Sequence, residues 1–118
     1  MDENFKPDES LYRAVLPKDM FWKKDGTLSS AAFFDKKGLS VDRGYYRPDI
    51  EVVDFMRETL NGSIVSFKVE DCNQVNAKVK YLPSRNNKYH SEVHGKETKE
   101  LSNKQRKYLA THAKIVAK

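Results

Sequence analysis

Ser63-Ile64-Val65-Ser66-Phe67-Lys68-Val69-Glu70, the break Asp71-Cys72-Asn73-Gln74, and Val75-Asn76-Ala77-Lys78-Val79-Lys80-Tyr81-Leu82 form the stretch whose reading decides the fold. Val65, Phe67 and Val69 alternate with Ser66, Lys68 and Glu70. Val75, Ala77, Val79 and Tyr81 alternate with Asn76, Lys78 and Lys80. A strand turns successive side chains to opposite faces. The period of two therefore predicts two antiparallel strands, each with one buried and one solvated face, joined through residues 71–74 at hairpin length.

Working outward, Tyr89, Ser91 and Val93 alternate with His90, Glu92 and His94 before Gly95, which predicts another strand. Ser10 to Leu16 reads as the first strand and ends at Pro17, whose missing amide interrupts a ladder. Arg13 is the one charge in that strand. A helix is predicted from Asp49, with Glu51 in its first turn and a stripe of Ile50, Val53, Met56 and Leu60, stopping at Asn61-Gly62. A last helix opens at Ser102 and runs to about Val116, with Tyr108, Leu109, His112, Ile115 and Val116 on one side. These elements give an α+β fold: an antiparallel sheet of about four strands with two helices packed on one face. Residues 1–9 are polar and read as a loose arm, and 10–118 as a single domain.

One stretch follows neither period. Asp25-Gly26-Thr27-Leu28-Ser29-Ser30-Ala31-Ala32-Phe33-Phe34, continuing to Leu39-Ser40-Val41-Asp42-Arg43, holds a turn signal, paired hydroxyls and a short extended piece at Leu39–Val41. It reads as an irregular segment closing over the sheet. The cleft it predicts gathers Arg13, Ser29, Ser30, Ser40, Asp42, His90, Glu92 and His94.

Charge is unevenly placed. The net charge is +5, yet residues 69–118 hold eleven Lys/Arg against five Asp/Glu while residues 1–68 are near neutral. A basic half points to a polyanionic or acidic partner. Lys68, Lys78 and Lys80 can share the solvated sheet face, and Lys96, Lys99, Lys104, Arg106 and Lys107 gather before and along the last helix. Tyr45 and Tyr46 beside Arg47 offer stacking of the kind used on single strands. The longest apolar run is four residues, Ala31 to Phe34, far below the ~20 of a membrane span. The single cysteine and the acidic start, Met1-Asp2-Glu3, lead to the expectation of a cytoplasmic protein.

Catalytic signatures are sparse. His90, Glu92 and His94 fall on one strand face, but not in the HExxH order of a helical zinc pair, and a solvated polar face accounts for them without a metal. Glu70 and Asp71 disfavour a Cys72 thiolate. Ser29 and Ser30 lie outside a G-x-S-x-G elbow, and no phosphate-binding glycine motif is present.

Two resemblances add expectations. The order Arg13, then Ser29, Ser30 and Phe33, then Glu92 resembles the Arg–Ser–Glu order of ADP-ribosyltransferase folds. That resemblance implies a small NAD-using or toxin-like enzyme in which Arg13, Ser29 or Ser30 hold NAD and Glu92 orients the ribose. Asp25-Gly26-Thr27-Leu28-Ser29-Ser30-Ala31-Ala32-Phe33, Leu39-Ser40-Val41-Asp42 and Tyr89-His90-Ser91-Glu92-Val93-His94-Gly95 resemble a pattern recurring in small uncharacterised bacterial proteins. That resemblance implies a compact bacterial cytosolic domain and supplies no activity. The expected function is a non-catalytic binding or accessory module without cofactor, contacting nucleic acid or an acidic protein surface. The enzyme above and a structural subunit of a larger assembly stand as alternatives.

Overall fold

The computed structural model describes residues 1–118 and is an α+β fold built on one antiparallel sheet. Its strands are β1 (Ser10–Val15), β2 (Leu39–Arg43), β3 (Ser63–Lys68), β4 (Lys78–Tyr81), β5 (His90–His94) and β6 (Lys114–Ala117). The helices are α1 (Asp49–Thr59), α2 (Val69–Gln74) and α3 (Asn103–His112), with a 3-10 turn at Ser30–Phe33. The strand order is β4-β5-β2-β1-β3-β6. Six strands and three helices thus replace the expected four and two.

The differences have local causes. Residues 69–74 turn into a helix whose first amides, which have no partner within it, find acceptors in the arm. The Val69 amide donates to Glu9 O at 3.0 Å and the Glu70 amide to Pro7 O at 2.8 Å. Asp71 then accepts the Lys68 amide at 2.9 Å, capping the turn. β3 and β4 are consequently not a hairpin; α2 carries the chain from β3 to the far edge. At the C-terminal end, Ser102 and Gln105 form a capping box, and α3 ends at His112. Ile115 and Val116, read as helical from spacing, instead lie in β6, where Ile115 pairs with Val65 and Val116 falls at a shift in register. Ile115, Val116 and Ala117 satisfy either period, and the open edge of β3 selects the strand. Leu39–Val41 extends to Arg43 and lies near the centre of the sheet, between β1 and β5.

Alternation along β1 divides the sheet's two faces. Leu11 and Val15 join Val41, Val65, Phe67, Val93, Cys72 and Leu109 in a cluster of 15 buried residues on the major face, under α2, α3 and the 3-10 turn. Tyr12 and Ile64 point the other way and pack with Val52, Val53 and Met56 of α1. The helices therefore cover both faces, not one. The buried side of α1 is rotated from the expected stripe, leaving Ile50 and Leu60 exposed. The Tyr12 hydroxyl donates to the Asp49 carboxylate, fixing the start of the helix over the strand.

The N-terminal arm is not loose. Arg43, at 1% exposure, reaches Glu9 through Nε at 2.8 Å and a second nitrogen at 2.9 Å. It also donates to the carbonyls of Asp2 and Asn4 and stacks on Phe5, 4.1 Å from the ring centroid. A bidentate pair removed from water is costly to break from one side, because the surviving charge is left unpaired. Glu9→Leu and Arg43→Met should each lower stability by about 3–5 kcal/mol. The double variant should cost less than their sum, as read by urea unfolding of all three proteins.

Candidate nucleic-acid interface

α1 covers only the β1–β3 side of the minor face. Across β2, β5 and β4 that face is open. Register places Ser40 opposite Glu92 and Asp42 opposite His90 on one side of β5, and Lys80 opposite Glu92 and Lys78 opposite His94 on the other. A polar lattice results from sequence alternation alone.

Each histidine already has partners. The Leu82 carbonyl can only accept, so His90 donates from Nδ1 at 2.8 Å, leaving Nε2 to face the Ser40 hydroxyl at 3.4 Å. His94 Nε2 pairs with Glu92 Oε1 at 2.7 Å. No group of three His, Cys, Asp or Glu side chains is placed to hold a metal ion. Gly38 presses on the Glu92–His94 pair: a Cβ there would lie 2.6 Å from Glu92 Oε1 and 2.8 Å from His94 Nε2, and its φ is +102°. Only glycine combines that backbone with that approach.

Beside this pair lies a cavity of about 330 Å³ lined by Lys78, Lys80, His94, Gly95, Lys96, Glu97, Thr98 and Lys99, with no hydrophobic residue. Lys78 and Lys80 come from β4, and Lys96 and Lys99 from the loop after β5. That loop doubles back because Gly95 has no side chain; a Cβ would meet Glu100 O at 2.4 Å. Thr98 steadies it by donating to Glu100 O at 2.9 Å. Lys104 lies on a neighbouring depression that shares Lys96 and Gly95.

The remaining predicted basic residues go elsewhere. Lys68 donates to Asp8 O and Ser10 Oγ at 3.2 and 3.1 Å. Arg106 stacks on Phe34 and bonds the Asn103 side chain. Lys107 faces a different cavity with Lys23, Ser29 and Ser30. The Tyr45, Tyr46 and Arg47 platform is also not assembled. Arg47 turns inward to Asp42 at 3.1 Å and lies 3.6 Å over the Tyr89 ring, while Tyr46 stacks on Arg43.

The predicted cleft is split by the sheet. Ser40, Asp42, His90, Glu92 and His94 share the minor face, whereas Arg13 belongs to the major face. There its guanidinium donates to Ala32 O at 2.9 Å and Ser40 O at 3.1 Å, where β1 and β2 splay apart. Burial lowers the Arg13 pKa from its ordinary value, partly offset by Asp35. Ser29 caps the 3-10 turn by accepting the Ala31 amide at 3.3 Å. Asp42 holds Arg47 and Asn87 and serves the fold. The Arg–Ser–Glu set that resembles an NAD site is not brought together.

Sequence reading missed Gly38, Gly95 and Thr98 in the site. Glycine gives no sign in sequence of what it lies against, and Thr98 matters through one backbone bond.

Cys72 is fully buried, and burial followed by the Asp71 charge pushes its thiol up to about 12. The unfolded thiol ionises near ~8.5, so above that pH the unfolded chain releases a proton that the native state retains. Stability from this group is intact below that value and is lost as pH rises toward 12. A thiol reagent such as DTNB at pH 8 should label Cys72 only after denaturant is added. Gly38→Ala should cost on the order of 1–3 kcal/mol and shift the His94 ring resonances, a local change that NMR reads directly.

No protein family, characterised protein or solved structure was found to match this chain. No helix is long and apolar enough to cross a membrane.

Proposed function

We propose that this protein is a non-catalytic, nucleic-acid-binding accessory module whose contact surface is the open minor face and the lysine cavity beside it. The observation that carries this reading is the convergence of Lys78, Lys80, Lys96 and Lys99 on one cavity lined by no hydrophobic residue and by a single acid, Glu97. Four ammonium groups against one carboxylate suit phosphate oxygens. The surface continues over Lys96 to Lys104, which lengthens the track along which a backbone can lie.

The aromatic residues nearest in sequence to a stacking platform, Tyr45 and Tyr46, follow the Arg43 end of β2. The lysine cavity adjoins the Gly38 end. Recognition on this reading rests on phosphates and tolerates any base sequence. The bacterial cytosolic setting follows from the sequence resemblance and belongs to the same proposal. A structural subunit would need a contiguous apolar patch. Of the large exposed apolar residues, Ile50 and Leu60 lie at opposite ends of α1, while Met20, Phe34 and Leu82 belong to three separate segments.

Salt dependence provides the test. Four phosphate contacts give a slope of log K against log salt of about −3.6 on duplex DNA and about −2.8 on a single strand. Lys96→Ala with Lys99→Ala should reduce the slope by nearly half and weaken all sequences alike. Lys107→Ala should leave it unchanged. Absence of binding to both duplex and single strands at low salt would remove the nucleic-acid reading. Salt-dependent binding to an acidic protein alone would reassign the surface.

A further inference from the structure

A second concentration of lysines lies at the opposite edge of the sheet. β6 pairs with β3 on one side and has no strand on the other, so the outward row of its backbone groups is unpaired. Such a row is a template for an added strand.

Two adjoining cavities lie over the major face beside this edge. The larger, about 680 Å³, includes Lys23, Ser30, Lys107, Ala113 and Ile115 in its lining. The smaller, about 300 Å³, includes Lys18, Trp22, Ser63, Ile115 and Lys118. Gly26 and Ile115 belong to both, so the two form one groove. Positions 113, 115 and 118 follow the strand from one end to the other, a span of ~17 Å at ~3.3 Å per residue. That shape fits five or six extended residues better than a compact ligand. Ile115, 39% exposed, gives the groove an apolar centre.

Charge selects among occupants. The combined lining holds Lys18, Lys23, Lys107 and Lys118 against a single acid, Asp19. A second copy of this edge would bring like charges together, which opposes self-pairing. An acidic strand would find a partner on each side of the apolar centre.

We propose that the β6 edge binds an extended acidic segment of a partner protein by strand addition. Main-chain hydrogen bonds run along Lys114–Ala117. Apolar side chains of the segment rest on Ile115 and Ala113, and its carboxylates meet the four lysines. The site is separate from the β4 cavity, so partner and nucleic acid can be held together.

The test uses the whole protein and a capped eight-residue peptide of alternating glutamate and valine. Titration followed by amide NMR should shift residues 114–117 and slow their hydrogen exchange. Lys23→Glu with Lys107→Glu, both exposed positions, should weaken the affinity tenfold or more. A lysine–valine peptide should not bind. Methylating the peptide's alternate amides should abolish binding in one of the two possible registers. The proposal is overturned by no saturation at millimolar peptide, by exchange protection at β4 instead of β6, or by an affinity indifferent to the charge reversals. Sedimentation showing a dimer paired through β6 would also overturn it.

Discussion

The fold depends on a charge pair that water does not reach. Arg43, at the end of a central strand, and Glu9, just before β1, are both almost fully buried and bonded in bidentate fashion. A buried guanidinium must satisfy its donors, and Arg43 does so by drawing in the carbonyls of Asp2 and Asn4. The same segment supplies the Glu9 and Pro7 carbonyls that accept the first amides of α2. One arginine thereby fastens the arm, and the fastened arm supplies the acceptors at the start of α2. The switch from strand to helix at Val69 sends the chain across the major face to the far edge.

The path creates the functional geography. Because β4 sits at one edge and β6 at the other, the basic C-terminal half is divided between two surfaces. Lys78, Lys80, Lys96 and Lys99 converge at the first, and Lys107 and Lys118 join Lys18 and Lys23 at the second. Their chemistries differ in keeping with their linings. The first is lined by no hydrophobic residue, whereas the second has Ile115 at its centre; these linings are what support the proposed phosphate and peptide contacts.

The candidate cleft was only half legible. Alternation placed His90, Glu92 and His94 together on one face correctly, since that depends on nothing beyond strand geometry. Ser40 and Asp42 join them through register. Arg13 and Ser29 do not, because each answers a local backbone need: a splayed ladder in one case and a turn cap in the other. A side chain recruited to repair backbone hydrogen bonding looks, in sequence, the same as one aimed at a ligand.

What the sequence determined by itself was the class: an antiparallel α+β fold, the helix from Asp49, the start of α3 and the alternation along β1, β3 and β5. These rest on interactions within a few residues of one another, and their periods are written directly in the chain. The face of β3 expected to be solvated, with Ile64 and Ser66, is instead buried under α1. The tertiary structure alone decided the strand order, the placing of helices on both faces, and the fate of Val69–Gln74 and Lys114–Ala117. Those segments are short and fit either period, and distant partners complete their hydrogen bonding: the arm's carbonyls for one, the open edge of β3 for the other.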